Sequence, residues 1–377
     1  MSKYRVPIEK PKPDIQNFLD VALGKVEPDK PPIVEYLVDN ALMRPITEGL
    51  LGRKWVDTPD LEEYMGGQMD FSKENISVVN AFLDNQIAFW YHMGYDFIRF
   101  EASLSLPAVS NAIPDTAKGN EGKSRAWQSE TEGIITNWEE FEKYPWPKIL
   151  EKDFYIHNYI CKQLPDGFGL ITCHAGGVYE HVSRLMSYEK LCINLIDDPE
   201  LVKVVAEKIG DLIFEYNKYL LEFDKLSAIF QGEDFGFNTG TLISPQDIKE
   251  IFLPWHKKFS KQIHDSGKLY FLHSCGELSM IMDDLIEDVK IDGKHSFQDN
   301  IIPITEAKKI WGDKICLLGG VDIDKLATYP PEKLRKYIRK IIDECTPGGR
   351  FALGSGNSIT SYIPLDNYLT MLDEAFR

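Results

Sequence analysis

Positive charge is scarce in this chain. Its 377 residues carry 42 Lys and Arg against 59 Asp and Glu, a formal net charge of −17. Nucleic acid and anionic membrane surfaces both need a basic footprint, so neither is expected as a partner. Long apolar runs are missing too, since none approaches the ~18 residues that a bilayer span requires. The first fourteen residues hold no apolar core of a secretion signal, and the six Cys are scattered without close pairing. These absences predict a cytoplasmic protein with reduced thiols. No internal repeat or low-complexity tract is present. What the chain does have is 43% hydrophobic and 12% aromatic residues, which excludes disorder and supplies a large core.

Eight short apolar runs of strand type recur, at 32–39, 95–101, 169–174, 227–234, 268–275, 289–295, 315–322 and 350–355. Stretches of helical period lie between them, at 201–223, 245–266, 277–286, 332–343 and 365–376. Ser244-Pro245-Gln246-Asp247 has a Ser cap, Pro at the first helical position and an acid in the first turn. Strands alternating with helices imply parallel βαβ units, and eight such units imply a (β/α)8 TIM barrel, typically of about 250 residues. The surplus length predicts an N-terminal extension over 1–30, with a short helix around 15–23, and one barrel over 31–377. A long insertion, about 104–150, follows the second strand. The doubly wound alternative lacks a G-x-G-x-x-G after its first strand.

In such a barrel the active site lies at the C-terminal ends of the strands. Here those ends carry Glu35, Asp39, Glu101, Cys173, His174, Glu233, Asp234, His273, Cys275, His295, Asp322, Ser355 and Asn357. A turn needs only Gly, Asn or Ser, so this convergence of titratable side chains indicates a polar catalytic pocket. His273-Ser274-Cys275-Gly276 is the sharpest motif. Residues two apart in a strand share a side, so imidazole and thiol face one space and form a pair suited to Zn2+. The plain alternative is a core His beside a small buried Cys.

Glu233, at the end of the neighbouring strand, is expected as the third ligand and Asp234 as its support or as a substrate contact. The competing reading is an acidic pair capping a strand end in solvent. Ser355 is a poor zinc ligand and leaves its position to water or a substrate oxygen. His295 reads equally as a general acid/base or as a hydrogen-bonded strand end. With Glu233 and Asp234 it makes up the expected catalytic set. Cys173 and His174 are neighbours facing opposite sides, which argues against a joint metal site. The expected substrate contacts are Glu35, Tyr36, Asp39, Glu101, His174, Phe235, Asp322 and Asn357. Aromatics near the strand ends, Tyr36, Tyr179, Phe235, Phe237 and Trp255, could sandwich a planar substrate. The remaining His and Cys read as packing or surface residues.

The order Gly232-Glu-Asp-Phe-Gly236, Ile243-Ser-Pro245, Pro254, His273-Ser-Cys-Gly276, Gly319-Gly-Val-Asp322 and Gly354-Ser-Gly-Asn-Ser358 resembles the uroporphyrinogen decarboxylase superfamily. So does the segment from Ile135 to Pro147, and the similarity spans roughly 31–377. The resemblance implies a (β/α)8 barrel. True decarboxylases of this group bind an eight-carboxylate porphyrinogen through an Arg-rich segment after the first strand. Here that segment has only Arg44 nearby, and carboxylates facing carboxylates cost binding energy. The corrinoid-dependent methyltransferase branch is the better likeness. It implies a zinc site on the His-x-Cys and a cobalamin supplied by a corrinoid protein docking at the barrel mouth. Barrels of this type often form homodimers.

Thiol-activating members of that branch have a further Cys near the last strand, where this chain has Ser355. Fewer thiolates leave more positive charge on the metal, which suits an oxygen leaving group. The expectation is therefore an O-demethylase methyltransferase, acting on a small methylated aromatic such as an aryl methyl ether. The alternatives are uroporphyrinogen decarboxylase-type decarboxylation of a tetrapyrrole, and a barrel that binds metal or corrinoid without turnover.

Overall fold

A computed structural model describes residues 3–57, 73–114 and 124–377. Seven parallel strands form one curled sheet, in the order Phe97–Arg99, Gly169–Thr172, Leu226–Gly232, Leu269–His273, Gly293–His295, Cys316–Val321 and Phe351–Ser355. Chain order equals spatial order, and helices follow most of the strands, as in a barrel built from βαβ units.

The first apolar run takes the eighth position as an extended segment rather than a regular strand. It lies parallel to the last strand through a bridge from Ile33 to Leu353, and to the chain just beyond that strand through a bridge from Val38 to Ile359. Between those bridges the ladder is broken by a side chain. The Ser355 amide donates to a Glu35 carboxyl oxygen at 3.0 Å instead of to a backbone carbonyl.

Strand alternation divides the core in two. Val34, Tyr36, Phe97, Ile171, Ala228, Phe230, Leu269, Phe271, Cys316, Leu318 and Ala352 point into the barrel and pack together. Their neighbours, such as Ile98, Leu170, Ile229, Tyr270, Leu317 and Leu353, point out into the layer beneath the helices. The extension is part of this architecture. Asp14 caps the helix Ile15–Ala22 by accepting from the Asn17 amide at 3.0 Å. Phe18 and Ala22 of that helix belong to the interior cluster, with the Phe18 ring 4.8 Å from Phe97 and 6.3 Å from Phe271. The helix therefore plugs the N-terminal end of the barrel.

Two local features shape the opposite mouth. After the second strand position, the antiparallel pair Ser110–Pro114 and Ser124–Gln128 rises from the expected insertion. A short hairpin, Gly236–Phe237 with Gly240–Thr241, follows the Leu226–Gly232 strand. The expected helix after Ser244 forms, with the Ser244 hydroxyl accepting from the Asp247 amide at 3.1 Å. It passes through a π-helical stretch, Ile248–Phe252, before Leu253–Asp265. Pro254 has no N–H to give, and the wider turn just before it accommodates that loss. Among the described residues no helix is long and apolar enough to cross a membrane.

Candidate active site

The Leu269–His273 strand sends Leu269, Phe271 and His273 inward. The chain continues through Ser274 to Cys275 and turns at Gly276, whose φ of +81° suits glycine. The strand beside it pairs Gly232 with His273, so Asp234 arrives at the same level. The Asp234 carboxylate accepts from the Cys275 amide at 2.8 Å. His273 Nε2 lies 3.5 Å from Cys275 Sγ and 3.6 Å from Asp234 Oδ1. The three donor atoms all fall within 4.8 Å of one another. A tetrahedral ion with bonds of about 2.0–2.3 Å sets its donors about 3.3–3.6 Å apart, so this N, S and O set fits a zinc-sized cation.

The expected third ligand is corrected by this geometry. Glu233 faces away from the barrel interior, and its carboxylate lies across the start of the helix Val178–Met186. It accepts from the amides of Tyr179 at 3.0 Å and Glu180 at 2.9 Å. His256 Nε2 donates to it at 2.9 Å, and the Tyr270 hydroxyl completes the chain at His256 Nδ1, 2.7 Å away. Glu233 is thus a buried helix cap, favoured there by the amides and the dipole. Asp234, one residue on, has the inward side.

Ser355 takes no place in the donor set. Its hydroxyl contacts both the Glu35 carboxyl and the Asn357 carbonyl. One hydroxyl proton cannot serve two acceptors, so a protonated Glu35 completes the count. Burial pushes the Glu35 carboxyl up to about 8, against the opposing hydrogen bonds from Ser355. The Asn357 side-chain amide donates to Cys275 Sγ at 3.3 Å.

His295 stands behind the cluster. Its Nδ1 is 2.7 Å from His273 Nδ1, and its Nε2 is 2.9 Å from the Ser355 carbonyl. Burial, then Lys294 and Arg99, lower His273 to about 3, and burial and His273 hold His295 well below its ordinary value. Burial, then Asp234, raises the Cys275 thiol to about 12 in the metal-free protein.

Beneath the cluster lies a polar floor. The Tyr36 ring stacks on His273 at 4.0 Å with planes 7° apart, and its hydroxyl donates to Glu101 at 3.3 Å. Arg99, fully inside the barrel, donates to Glu101 at 2.8 Å, to the Phe230 carbonyl at 3.0 Å and to Cys173 Sγ at 3.4 Å. Its guanidinium also sits 4.7 Å from the Tyr36 ring centroid. Glu180 completes the rim, its carboxyl raised to about 8 by burial first and then by Asp234 and Glu233. Arg99 and Glu180 escaped the sequence reading. Counting alternate positions back from Glu101 would have found Arg99, and Gly177-x-x-Glu180 has the spacing of a capping box.

Of the expected substrate contacts, Tyr36, Glu101 and Asn357 reach this cluster. The others are placed elsewhere, for definite reasons. Glu35 points out of the barrel to Ser355. Asp39 caps the helix Asn40–Gly49 by accepting from the Ala41 amide at 2.8 Å. Asp322 caps the helix Ile323–Thr328 and also accepts from the Asp299 amide at 3.0 Å. His174 Nε2 accepts from the Leu104 amide at 3.1 Å, tying down the start of the insertion. Phe235 is fully buried between Tyr179 and His256, its ring 5.7 and 5.6 Å from theirs.

A family model described as Uroporphyrinogen decarboxylase (URO-D) matches residues 130–377. No curated protein matches the chain. Among solved structures, a methyltransferase from Methanosarcina mazei is similar with a TM-score of 0.70 at 15% identity, over 97% of this chain and 99% of that one. A protein provisionally described as a vitamin-B12 independent methionine synthase, from Listeria monocytogenes, is similar with a TM-score of 0.51 at 11% identity, over 93% and 97%. At these identities the likeness is one of fold. The barrel, and a family match over most of its length, make the chain a member of the uroporphyrinogen decarboxylase (URO-D) family.

Proposed function

We propose that this protein is a metal-dependent methyltransferase. It moves a methyl group from a small methyl ether, an aryl methyl ether in the first instance, to the cob(I)alamin of a corrinoid partner protein. The observation that carries the reading is the Asp234–His273–Cys275 cluster at the barrel mouth, with a single thiol among its donors. Those three side chains would hold the metal, zinc by the softness of N and S donors. When bound, the ion would supply a Lewis acid, and a thiolate with a carboxylate would donate less electron density to it than two soft thiolates.

The C–O bond of the ether breaks with its electron pair on oxygen, and the methyl group passes to the partner's cobalt. Tyr36 and Glu101 would orient a ring hydroxyl from the floor. Burial first, and then Asp234 and Glu233, raise the Glu180 carboxyl, and Glu180 would give a proton to the departing oxygen. The rim supports a docking partner. Phe237 is 59% exposed and Met280 is 63% exposed, on the two loops that follow the ligand-bearing strands. The Phe237 carbonyl accepts from the Glu277 amide at 2.7 Å, joining those loops into one rim.

Tetrapyrrole decarboxylation is less well supported. Glu101 and Asp234 would face the substrate's own carboxylates, and Arg99 is already paired with Glu101. The test is methyl transfer from a panel of methyl ethers to a reduced corrinoid protein, with metal content measured alongside. Turnover of ethers by protein holding about one zinc per chain is the expected result. Turnover of thiols or methylamines alone would defeat the ether assignment, and activity on uroporphyrinogen would favour decarboxylation.

A further inference from the structure

We propose that His295 is a positioning residue that fixes the tautomer of His273, so that a bare Nε2 lone pair faces Asp234 and Cys275. The Ser355 carbonyl can only accept, so the His295 nitrogen 2.9 Å away carries the hydrogen. A neutral imidazole has one N–H, so His295 Nδ1 is bare. The contact of 2.7 Å between the two Nδ1 atoms needs one proton, and His273 must supply it. His273 then has no hydrogen left on Nε2, the atom 3.5 Å from Cys275 Sγ.

The other assignment puts both protons on His295. That buries an imidazolium between Tyr36 and Phe230 in a ring with no exposure to solvent, where desolvation opposes it. The fold is arranged around the neutral relay. His273 and His295 are direct partners in the strand ladder. Gly319, with φ of +91°, lies where a Cβ would come within 2.2 Å of the Ser355 carbonyl and 2.8 Å of His295 Nε2. A side chain there would close the path between ring and carbonyl. The consequence is chemical: a nitrogen ligand must present its lone pair, and the hydrogen bond on the other nitrogen decides which atom has it.

The inference rests on reading the cluster as a metal site, but part of its test does not. In metal-free wild-type protein labelled with 15N-histidine, the His273 signal is identified by its loss in His273→Gln. It should show a protonated Nδ1 and a bare Nε2. A proton on Nε2, or an exchanging mixture of tautomers, would overturn the proposal. Zinc titration against a competing chelator supplies the second arm. His295→Leu should bind zinc roughly 10–100-fold more weakly than wild type, the usual loss when a ligand's orienting partner is removed. His295→Asn should recover most of that loss, because its carbonyl can accept at the Nδ1 position. Wild-type affinity in a folded His295→Leu would sink the idea, and failure of that variant to fold leaves the wild-type tautomer to decide. A correct tautomer in a wild type that binds no zinc would uphold the relay and defeat the metal reading instead.

Discussion

The two ends of the barrel are built from the same seven strands and have opposite chemistry. At the N-terminal end, Phe18 and Ala22 lie on Phe97 and Phe271, and the helix Ile15–Ala22 shuts out water with an apolar plug. At the C-terminal end, inward positions carry Tyr36, Arg99, Glu101, His273 and His295, all joined by hydrogen bonds or ring contacts. Burying polar groups costs free energy wherever a donor or acceptor is left unpaired, whereas burying Phe18 gains it outright. Stability is therefore concentrated at one mouth and chemistry at the other, as the barrel architecture generally allows.

Substitutions at the chemical end should separate the two roles most sharply. Cys275→Ala and Asp234→Asn should remove bound zinc and methyl transfer while leaving unfolding by urea close to that of metal-free wild type. Glu233→Gln should do the reverse. It keeps the zinc and loses about 1–3 kcal/mol, because a charge-assisted helix cap and its bond to His256 are weakened. Metal analysis and urea denaturation on the same preparations check both. If Glu233→Gln lost the zinc and Asp234→Asn kept it, the two carboxylates would have to exchange roles. At the plugged end, Phe18→Ala should cost about 3–5 kcal/mol, the usual range for a buried aromatic, with zinc affinity unchanged in the folded fraction. A loss of zinc affinity there would mean that the two ends are coupled.

The same alternation explains how much could be read from the sequence. All eight apolar runs became staves of the barrel, and the His-x-Cys spacing placed its two side chains together. The sorting of strand-end residues was not legible. Inward positions take Tyr36, Glu101, His273 and His295. Outward positions take Glu35, His174 and Glu233. Strands of a parallel barrel are apolar on both faces, so the sequence shows no alternation from which to count. Glu233 and Asp234 are neighbours in the chain, and only the inward packing of Ala228 and Phe230 fixes which of them meets His273. The link from His295 to His273 depends on register between strands, which no single segment contains. The first run is extended but not regular, because the Glu35 side chain takes an amide that a ladder would have used.

Glu35 makes the stability of the barrel depend on pH. Its folded carboxyl titrates near 8, far above the ordinary value of 4.5. Between those values the folded state keeps a proton that the unfolded chain has lost, so stability falls as pH rises. The limiting slope is about 1.4 kcal/mol per pH unit for one such group. Glu35→Gln imitates the protonated acid and should flatten that slope. The clearest window is pH 6.5–8, above the depressed values of His157, His174 and His273. Glu180 has the same sign, but it is present in both proteins and cancels in the difference. Unfolding free energies from urea titrations across that window should diverge by roughly 1–2 kcal/mol in favour of the variant at the alkaline end. Parallel curves would mean that Glu35 is already ionised in the fold.

The smallest effects belong to the carboxylates that sit at strand ends without joining the site. Asp39 accepts from the Ala41 amide and Asp322 from the Lys325 amide, each at the start of a helix. Replacing either with Ala leaves one of the free N–H groups of a helix start without its acceptor, at a cost of about 1 kcal/mol. Neither side chain touches the cluster of Asp234, His273 and Cys275, so Asp39→Ala and Asp322→Ala should keep full zinc content and full methyl transfer per folded molecule. Asp322 also holds the Asp299 amide, so its loss should be the larger of the two. Reduced zinc affinity or turnover in Asp39→Ala would place that carboxylate back among the substrate contacts. An unfolding midpoint lowered with chemistry intact would keep it where the geometry has it, in the support of the mouth rather than in its reaction.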